Sequence, residues 1–122
     1  MKHLSSIYYE TIKHKDQRYD TLGDYFKGDY CTEFYVSQCK NADYEFMILI
    51  HELTEWYLCQ KRGIKNKDID KFDMTHLELE DPGRSKEAPY HKEHMFAERI
   101  EKLICKELGI KWDNYYGKEL NK

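Results

Sequence analysis

Three polar residues interrupt an otherwise apolar segment in the middle of the chain. His51, Glu52 and Glu55 stand between Tyr44 and Arg62, where apolar residues occur almost all the way round a helical wheel. His51 and Glu55 are four residues apart, so a helix places them one above the other on the same face. Burying these groups costs free energy unless each is paired, protonated or bound to a cation. The pattern therefore predicts a partner for all three.

A second set of polar donors stands in the last helical segment. Periodicity places Glu93 near the middle of its apolar stripe and His94 at its edge, with His91 further round. Imidazole nitrogens and carboxylate oxygens are ligands that zinc, iron and manganese accept. We therefore expect one divalent ion, shared between the two helices, with zinc as the first choice. The apolar stripe itself is predicted to contain Phe96, Ala97, Ile100, Leu103, Ile104 and Leu108.

Other arrangements would also satisfy these donors. His51 and Glu55 can form a hydrogen-bonded pair without a metal, and Glu52 can pair with a lysine. His91 can lie in the solvated first turn of its helix. For a single residue, each of these arrangements is more common than metal binding. The combination on an apolar helix is equally compatible with a metal or catalytic site. The predicted metal ligands are His51, Glu55, Glu93 and His94, with His91 and Asp73 as additional candidates.

The elements that would position these donors differ along the chain. Ile7–Ile12 and Cys31–Ser37 are rich in aromatic and β-branched residues, and Gly23–Asp29 has the pattern of a strand entering a turn. These segments predict a small antiparallel sheet in the N-terminal third. Three helices should follow, at Tyr44–Arg62, Lys67–His76 and Pro89–Leu108, and the aromatic tail Ile110–Tyr116 should dock on the body.

Length and charge limit the kind of protein. The 122 residues suit one α+β domain, residues 1–122, in which the sheet and the three helices share one core. Twenty basic and 23 acidic residues give a net charge of −3, which weighs against a general nucleic-acid binder. No leader or long apolar stretch is evident, so we expect a cytoplasmic protein with no membrane partner. The four cysteines should be reduced, although pairing of Cys31 with Cys39 stays open.

The segment from His51 to Glu55 resembles the active helix of zincin metallopeptidases, whose pattern is His-Glu-x-x-His. Here Glu55 stands in the place of the second histidine. The resemblance implies a minimal zincin-like arrangement with His51 and Glu55 as ligands and Glu93 or His94 as the third. It also implies that Glu52 is the general base of a hydrolase. A carboxylate ligand at this position shifts metal preference somewhat towards iron or manganese.

A second resemblance is to nucleoside triphosphate pyrophosphatases of the MazG type. Their helices carry Glu-Glu-x-x-Glu and Glu-x-x-Asp, and this chain has His51-Glu52-x-x-Glu55 followed by Asp70-x-x-Asp73. That resemblance implies a magnesium ion held by carboxylate oxygens from both segments, and a nucleotide substrate.

The whole chain is similar to a group of uncharacterised bacteriophage and prophage proteins. The likeness lies in the stretches 17–24, 44–55, 62–73 and 88–97. It implies a small protein of the host-cell cytoplasm, either an enzyme with an unidentified substrate or a non-catalytic module that inhibits or sequesters a host protein. In the first stretch, Arg18 could clamp a phosphate or carboxylate and Asp24 could add an acid, or the segment could be a simple turn.

Overall fold

The computed structural model describes residues 3–120 and has the predicted α+β fold. Three strands come first, and helices follow them. The strands are β1 (Ile7–Ile12), β2 (Gly23–Lys27) and β3 (Thr32–Ser37), and the helices are α1 (Ala42–Lys61), α2 (Asn66–Thr75), α3 (His91–Glu107) and α4 (Trp112–Tyr115). Two single turns of 3-10 helix lie at His14–Asp16 and Pro82–Arg84.

The sheet is mixed, because its middle strand is β3. The short connection between β2 and β3 makes that pair antiparallel, with Tyr25 opposite Phe34. β1 lies on the other side of β3 and pairs with it in parallel, with Tyr9 opposite Phe34. The strands do alternate in direction along the chain, but β1 pairs with the third strand instead of the second. The prediction of a purely antiparallel sheet was wrong for this reason.

α1 packs between the sheet and α3. This position explains why apolar residues occur on nearly all sides of the helix. Its N-terminus is capped by the Asn41 side chain, which accepts a hydrogen bond of 3.0 Å from the Tyr44 amide. Its C-terminus is followed by Gly63 at a φ of 72°, a conformation that favours glycine. Met47 and Trp56 are buried on the helix, and the Trp56 ring meets Phe34 edge-on. α1 is therefore held by contacts on more than one side.

The face that α3 turns inward is more polar than the predicted apolar stripe, of which Ala97 is fully buried and Ile104 packs against the core. Its buried residues are Glu93, His94, Ala97, Glu98, Glu101 and Cys105. Phe96, Leu103 and Leu108 are 38%, 64% and 42% exposed. A helix that buries four ionisable side chains must supply each with a partner.

The predicted docking of the tail is realised by α4, a short fourth helix. Tyr115 is fully buried and its ring lies 5.0 Å from that of Tyr44. Within the described part of the chain, no helix combines the length and hydropathy that crossing a bilayer requires. All four cysteines carry free thiols, so Cys31 and Cys39 are not joined.

Candidate metal centre

Three side chains from two helices meet at one buried point. His51 Nε2 lies 3.2 Å from Glu55 Oε2 and 3.2 Å from His94 Nδ1. His94 Nδ1 lies 2.8 Å from Glu55 Oε2. Two ligand atoms on a tetrahedral ion with bonds of about 2.0–2.1 Å are about 3.3 Å apart. This cluster, which we call the His-Glu-His triad, could therefore hold a metal ion.

Helix packing brings the triad together. His51 and Glu55 lie one turn apart on α1, and His94 comes from the first turn of α3, which packs along α1. The three residues are only 7%, 5% and 8% exposed. The triad is thus held by the main helix pair of the fold and not by a flexible loop.

The far nitrogen of His51 is held by a carboxylate. His51 Nδ1 lies 2.8 Å from Glu101 Oε1, and the Tyr115 hydroxyl donates to the other oxygen of Glu101. A carboxylate at the far nitrogen fixes the ring orientation and the tautomer of a metal-binding histidine. Glu101 and Tyr115 therefore direct Nε2 of His51 into the triad.

A carboxylate from a loop, that of Asp81, likewise lies at the far nitrogen of His94. Its Nε2 atom lies 3.0 Å from Asp81 Oδ1, and the Tyr116 hydroxyl donates a bond of 2.6 Å to Asp81 Oδ2. The ring nitrogen is enclosed, and no described residue meets it in well-aligned hydrogen-bond geometry, because the approach to Asp81 is oblique. Consecutive tyrosines near the C-terminus thus support both histidines.

The remaining oxygen of Glu55 is also engaged. Tyr25, on β2, donates a hydrogen bond of 2.9 Å to Glu55 Oε1, which leaves Oε2 for the triad. Each of the three donors consequently has its second polar atom next to a partner outside the triad. A chance meeting of buried polar groups would not be expected to provide all three.

Without a metal, the triad holds protons. Burial alone would lower the pKa of His94, but the carboxylates of Asp81 and Glu55 beside its two ring nitrogens raise that pKa to about 10. Burial also opposes the charged form of His51, yet Glu101 and Glu55 raise its pKa well above the ordinary value. For Glu55, burial acts to raise the pKa, and hydrogen bonds from His51 and His94 lower it to about 2. Without a metal, the neighbouring carboxylates therefore favour the protonated form of each histidine.

Protonation of these histidines predicts two opposite effects of raising the pH. The metal-free protein should become less stable, and zinc should bind more tightly. A raised His94 pKa stabilises the fold fully below about 6.5, and that contribution is lost as the pH rises to about 10. We expect the melting temperature of the metal-free protein to fall between these limits, and to fall less in a His94→Gln variant. Zinc affinity should rise by roughly 10- to 100-fold per pH unit near neutrality, because histidine protons must leave. Calorimetry in buffers of different ionisation enthalpy measures that release, and zinc binding without it would contradict the arrangement.

The hydrogen bond from Tyr115 provides a separate prediction. Tyr115→Phe removes the donor to Glu101 without opening a large cavity, so zinc affinity should fall by about 10- to 100-fold. Tyr44→Phe is the matched control, because the Tyr44 hydroxyl donates to the backbone oxygen of Asn114 and not to the triad. Competition with a chelating dye measures both affinities. Equal losses in the two variants would assign Tyr115 a purely structural role.

The triad lines a cavity of about 210 Å³. Glu52 also lines it, partly buried, and packs so closely on Gly23 that a Cβ there would lie 2.6 Å from Glu52 Oε1. Burial raises the pKa of Glu52 well above its usual range, and the charge of Glu55 raises it further. Glu52 does not belong to the triad. Its raised pKa means that it keeps a proton to a higher pH than an exposed glutamate, and that its ionised form is a stronger base towards a group in the cavity.

Two residues predicted as ligands lie elsewhere. Glu93 pairs with Arg62 at 2.8 Å, and His91 Nδ1 lies 2.9 Å from the backbone oxygen of Gly83. Adjacent residues on a helix point about 100° apart, so the rotation of α3 that directs His94 into the triad turns Glu93 towards the end of α1. The structure therefore places His94, and not Glu93, with His51 and Glu55.

The acids on β2 and α2 line the cavity but do not join the triad. Asp73 accepts hydrogen bonds from Tyr19, at 2.9 Å, and from Tyr90. Arg18 donates to both oxygens of Asp24, at 2.7 and 2.9 Å, and contacts Asp70 at 3.1 Å, so carboxylates already occupy its guanidinium group. Among residues 3–120, only the triad brings three metal-binding side chains within 4.8 Å, so the all-carboxylate magnesium set is not assembled.

Sequence reasoning missed the residues that support the triad. Glu101 had a usable signal, because it follows His94 by seven residues, or two helical turns on the same face. Asp81 lies in a loop, and Tyr25, Tyr115 and Tyr116 reach the centre only through tertiary packing. No periodic pattern marks them.

Comparison with protein-family models, with curated proteins and with solved structures finds no match for this chain. The resemblances to zincins, to MazG-type pyrophosphatases and to phage proteins therefore stay predictions. A functional hypothesis has to be argued from the geometry of the triad and the cavity.

Proposed function

We propose that this protein is a small zinc-dependent hydrolase. His51, Glu55 and His94 bind the ion, and Glu52 is the general base. The observation that carries the proposal is the triad, in which three ligand atoms lie 2.8–3.2 Å apart and each ligand has a supporting partner. The adjoining cavity gives a substrate access to the same point.

The set of donors favours zinc and an open coordination position. Two histidines and one glutamate are a known ligand set of catalytic zinc sites, which keep a fourth position for water or substrate. Structural zinc sites usually have four protein ligands instead. Iron and manganese accept the same donor types, so metal analysis has to include them.

The chemistry expected here is hydrolysis with proton transfer to a carboxylate. A bound zinc ion lowers the pKa of water to about 7 and polarises a carbonyl oxygen. Glu52 lies beside the triad on the cavity wall and can take the proton of the attacking water. Tyr25 holds Glu55 in place from β2, while Glu101 and Asp81 hold the two histidine rings.

A peptide or amide bond is the proposed target. The zincin-like pattern on α1 favours this class, and the triad supplies the ligands that such a reaction needs. Nucleotide hydrolysis of the MazG type has less support, because Asp70 pairs with Arg18 and Asp73 binds tyrosines. Neither acid is gathered with Glu52 and Glu55 around one point.

The test is metal analysis followed by an activity screen on the wild-type protein. Protein purified without added metal should contain zinc, or take up one equivalent of zinc, iron or manganese in a calorimetric titration. The loaded form should then cleave members of a fluorogenic peptide library, and a chelator should abolish this activity. Absence of stoichiometric metal binding would contradict the proposal. Metal binding without any hydrolysis would favour the alternative of a non-catalytic module with a structural ion.

A further inference from the structure

The cavity beside the triad is lined mainly by acidic side chains. Among the described residues, its lining contains eleven carboxylates and two histidines but no lysine or arginine. Arg18, Arg84 and Lys102 pair with lining carboxylates, although these three side chains do not line the cavity themselves. These three basic residues and a divalent ion would together carry five positive charges, whereas the lining contains eleven acidic side chains. The cavity therefore stays electronegative when the metal is bound, and such a cleft concentrates cations.

Asp73 is a buried acid of this lining that has only neutral partners. It is 7% exposed, and its two hydrogen bonds come from the hydroxyls of Tyr19 and Tyr90. Within residues 3–120 it forms no ion pair, and burial raises its pKa to about 6. Each carboxylate oxygen keeps a further acceptor position after one hydrogen bond. A positively charged ligand group would offset the cost of burying this acid.

Tyr90 connects Asp73 to the metal centre. Its hydroxyl binds Asp73, while its ring centroid lies 6.1 Å from that of His94. Both Asp73 and the triad line the same cavity, so one small molecule can reach both. The volume of about 210 Å³ is below the 300–1,000 Å³ of sites for drug-sized ligands. A short substrate, or the end of a longer one, fits this space.

We propose that Asp73 binds an ammonium group of the substrate, so that the enzyme acts on short amides or peptides with a positive charge near the cleaved bond. This inference rests on the proposed hydrolase function and adds the substrate class to it. Phosphate and carboxylate groups would be repelled from the same wall.

Three hydroxamates of nearly equal size test the charge preference without requiring catalysis, because a hydroxamate group binds zinc directly. They are β-alanine hydroxamate, which is cationic, butyrohydroxamate, which is neutral, and succinic monohydroxamate, which is anionic. Calorimetric titration of the zinc-loaded wild-type protein should give the cationic compound at least about a tenfold advantage over the neutral one. The anionic compound should bind most weakly, and zinc content is measured after each titration.

Two variants then test whether Asp73 causes the preference for the cationic hydroxamate. Asp73→Asn should reduce the cationic advantage to about twofold or less and leave zinc affinity and butyrohydroxamate affinity unchanged. Asp70→Asn is the matched control, because Asp70 lines the same cavity from the same helix but pairs with Arg18 at 3.1 Å. It should keep the advantage. Melting temperatures verify that both variants are folded, and the wild-type ranking needs no variant.

The possible failures are distinguishable. If the wild-type protein binds no metal, the proposed function is wrong. If it binds zinc and hydrolyses peptides but binds the three hydroxamates equally, only the substrate inference is wrong. An unchanged preference in Asp73→Asn would overturn the role of Asp73.

Discussion

Replacing His94 with alanine is expected to abolish stoichiometric zinc binding at micromolar concentrations. The change leaves His51 and Glu55 as the only members of the triad, and it also removes the partner of Asp81. Structural zinc sites with four ligands bind with about 10–16 kcal/mol, so loss of one ligand should weaken binding by roughly a hundredfold to a thousandfold. Competition with a chelating dye at pH 7.5 would measure the affinity.

His91→Ala is the matched control for this result. His91 stands three residues earlier, in the same helical turn, but its imidazole lies against the Gly83 backbone and outside the triad. Its removal should leave zinc affinity within a few-fold of the wild type. If His94→Ala bound zinc as tightly as His91→Ala, the metal centre described above would be wrong.

Replacing Glu52 with glutamine is expected to remove nearly all hydrolytic activity while zinc binding persists. Glutamine has the same shape, so it fills the space next to Gly23, but it cannot accept the proton of the attacking water. A general base contributes typically 10²–10⁴-fold, so kcat should fall by about that factor with KM little changed. Zinc stoichiometry and melting temperature, measured on the same samples, separate loss of chemistry from loss of structure.

Glu93→Gln is the control for Glu52→Gln, because it makes the same chemical change at a glutamate outside the triad and the cavity lining. Glu93 pairs with Arg62 at the end of α1, so its replacement should lower the melting temperature and leave kcat unchanged. A fall in kcat in Glu93→Gln equal to that in Glu52→Gln would show that general loss of stability, and not proton transfer, explains the effect.

The sequence was most informative where a local pattern conflicted with burial. His51 and Glu55 were identified because they interrupt an apolar helix, and the spacing of four residues predicted their common face correctly. The choice between Glu93 and His94 could not be made, because it depends on the rotation of α3 against α1. That rotation is set by packing along the whole helix pair.

The polar face of α3 shows why the remaining features were not predicted. Periodicity indicated that Leu103 faces inward, yet it is 64% exposed while Glu101 is 7% exposed. Burial of Glu101 is favourable only because His51 and Tyr115, from distant parts of the chain, supply its hydrogen bonds. The order of the strands is likewise a long-range property. β1 pairs with β3 although β2 lies between them in sequence.

Protonation of the two histidines, which the surrounding carboxylates favour, has a consequence for how an ion would enter the triad. Two protons bring as much positive charge to the interior as one divalent cation, and Asp81 and Glu101 lie at the far nitrogens of the two rings, which an ion in the triad would leave in place. The polypeptide can therefore complete its folding before any metal arrives, unlike small domains that need zinc to fold. Loading then becomes an exchange of hydrogen ions for a cation in a preformed site. Such an exchange is reversible, and acidification would drive it backwards.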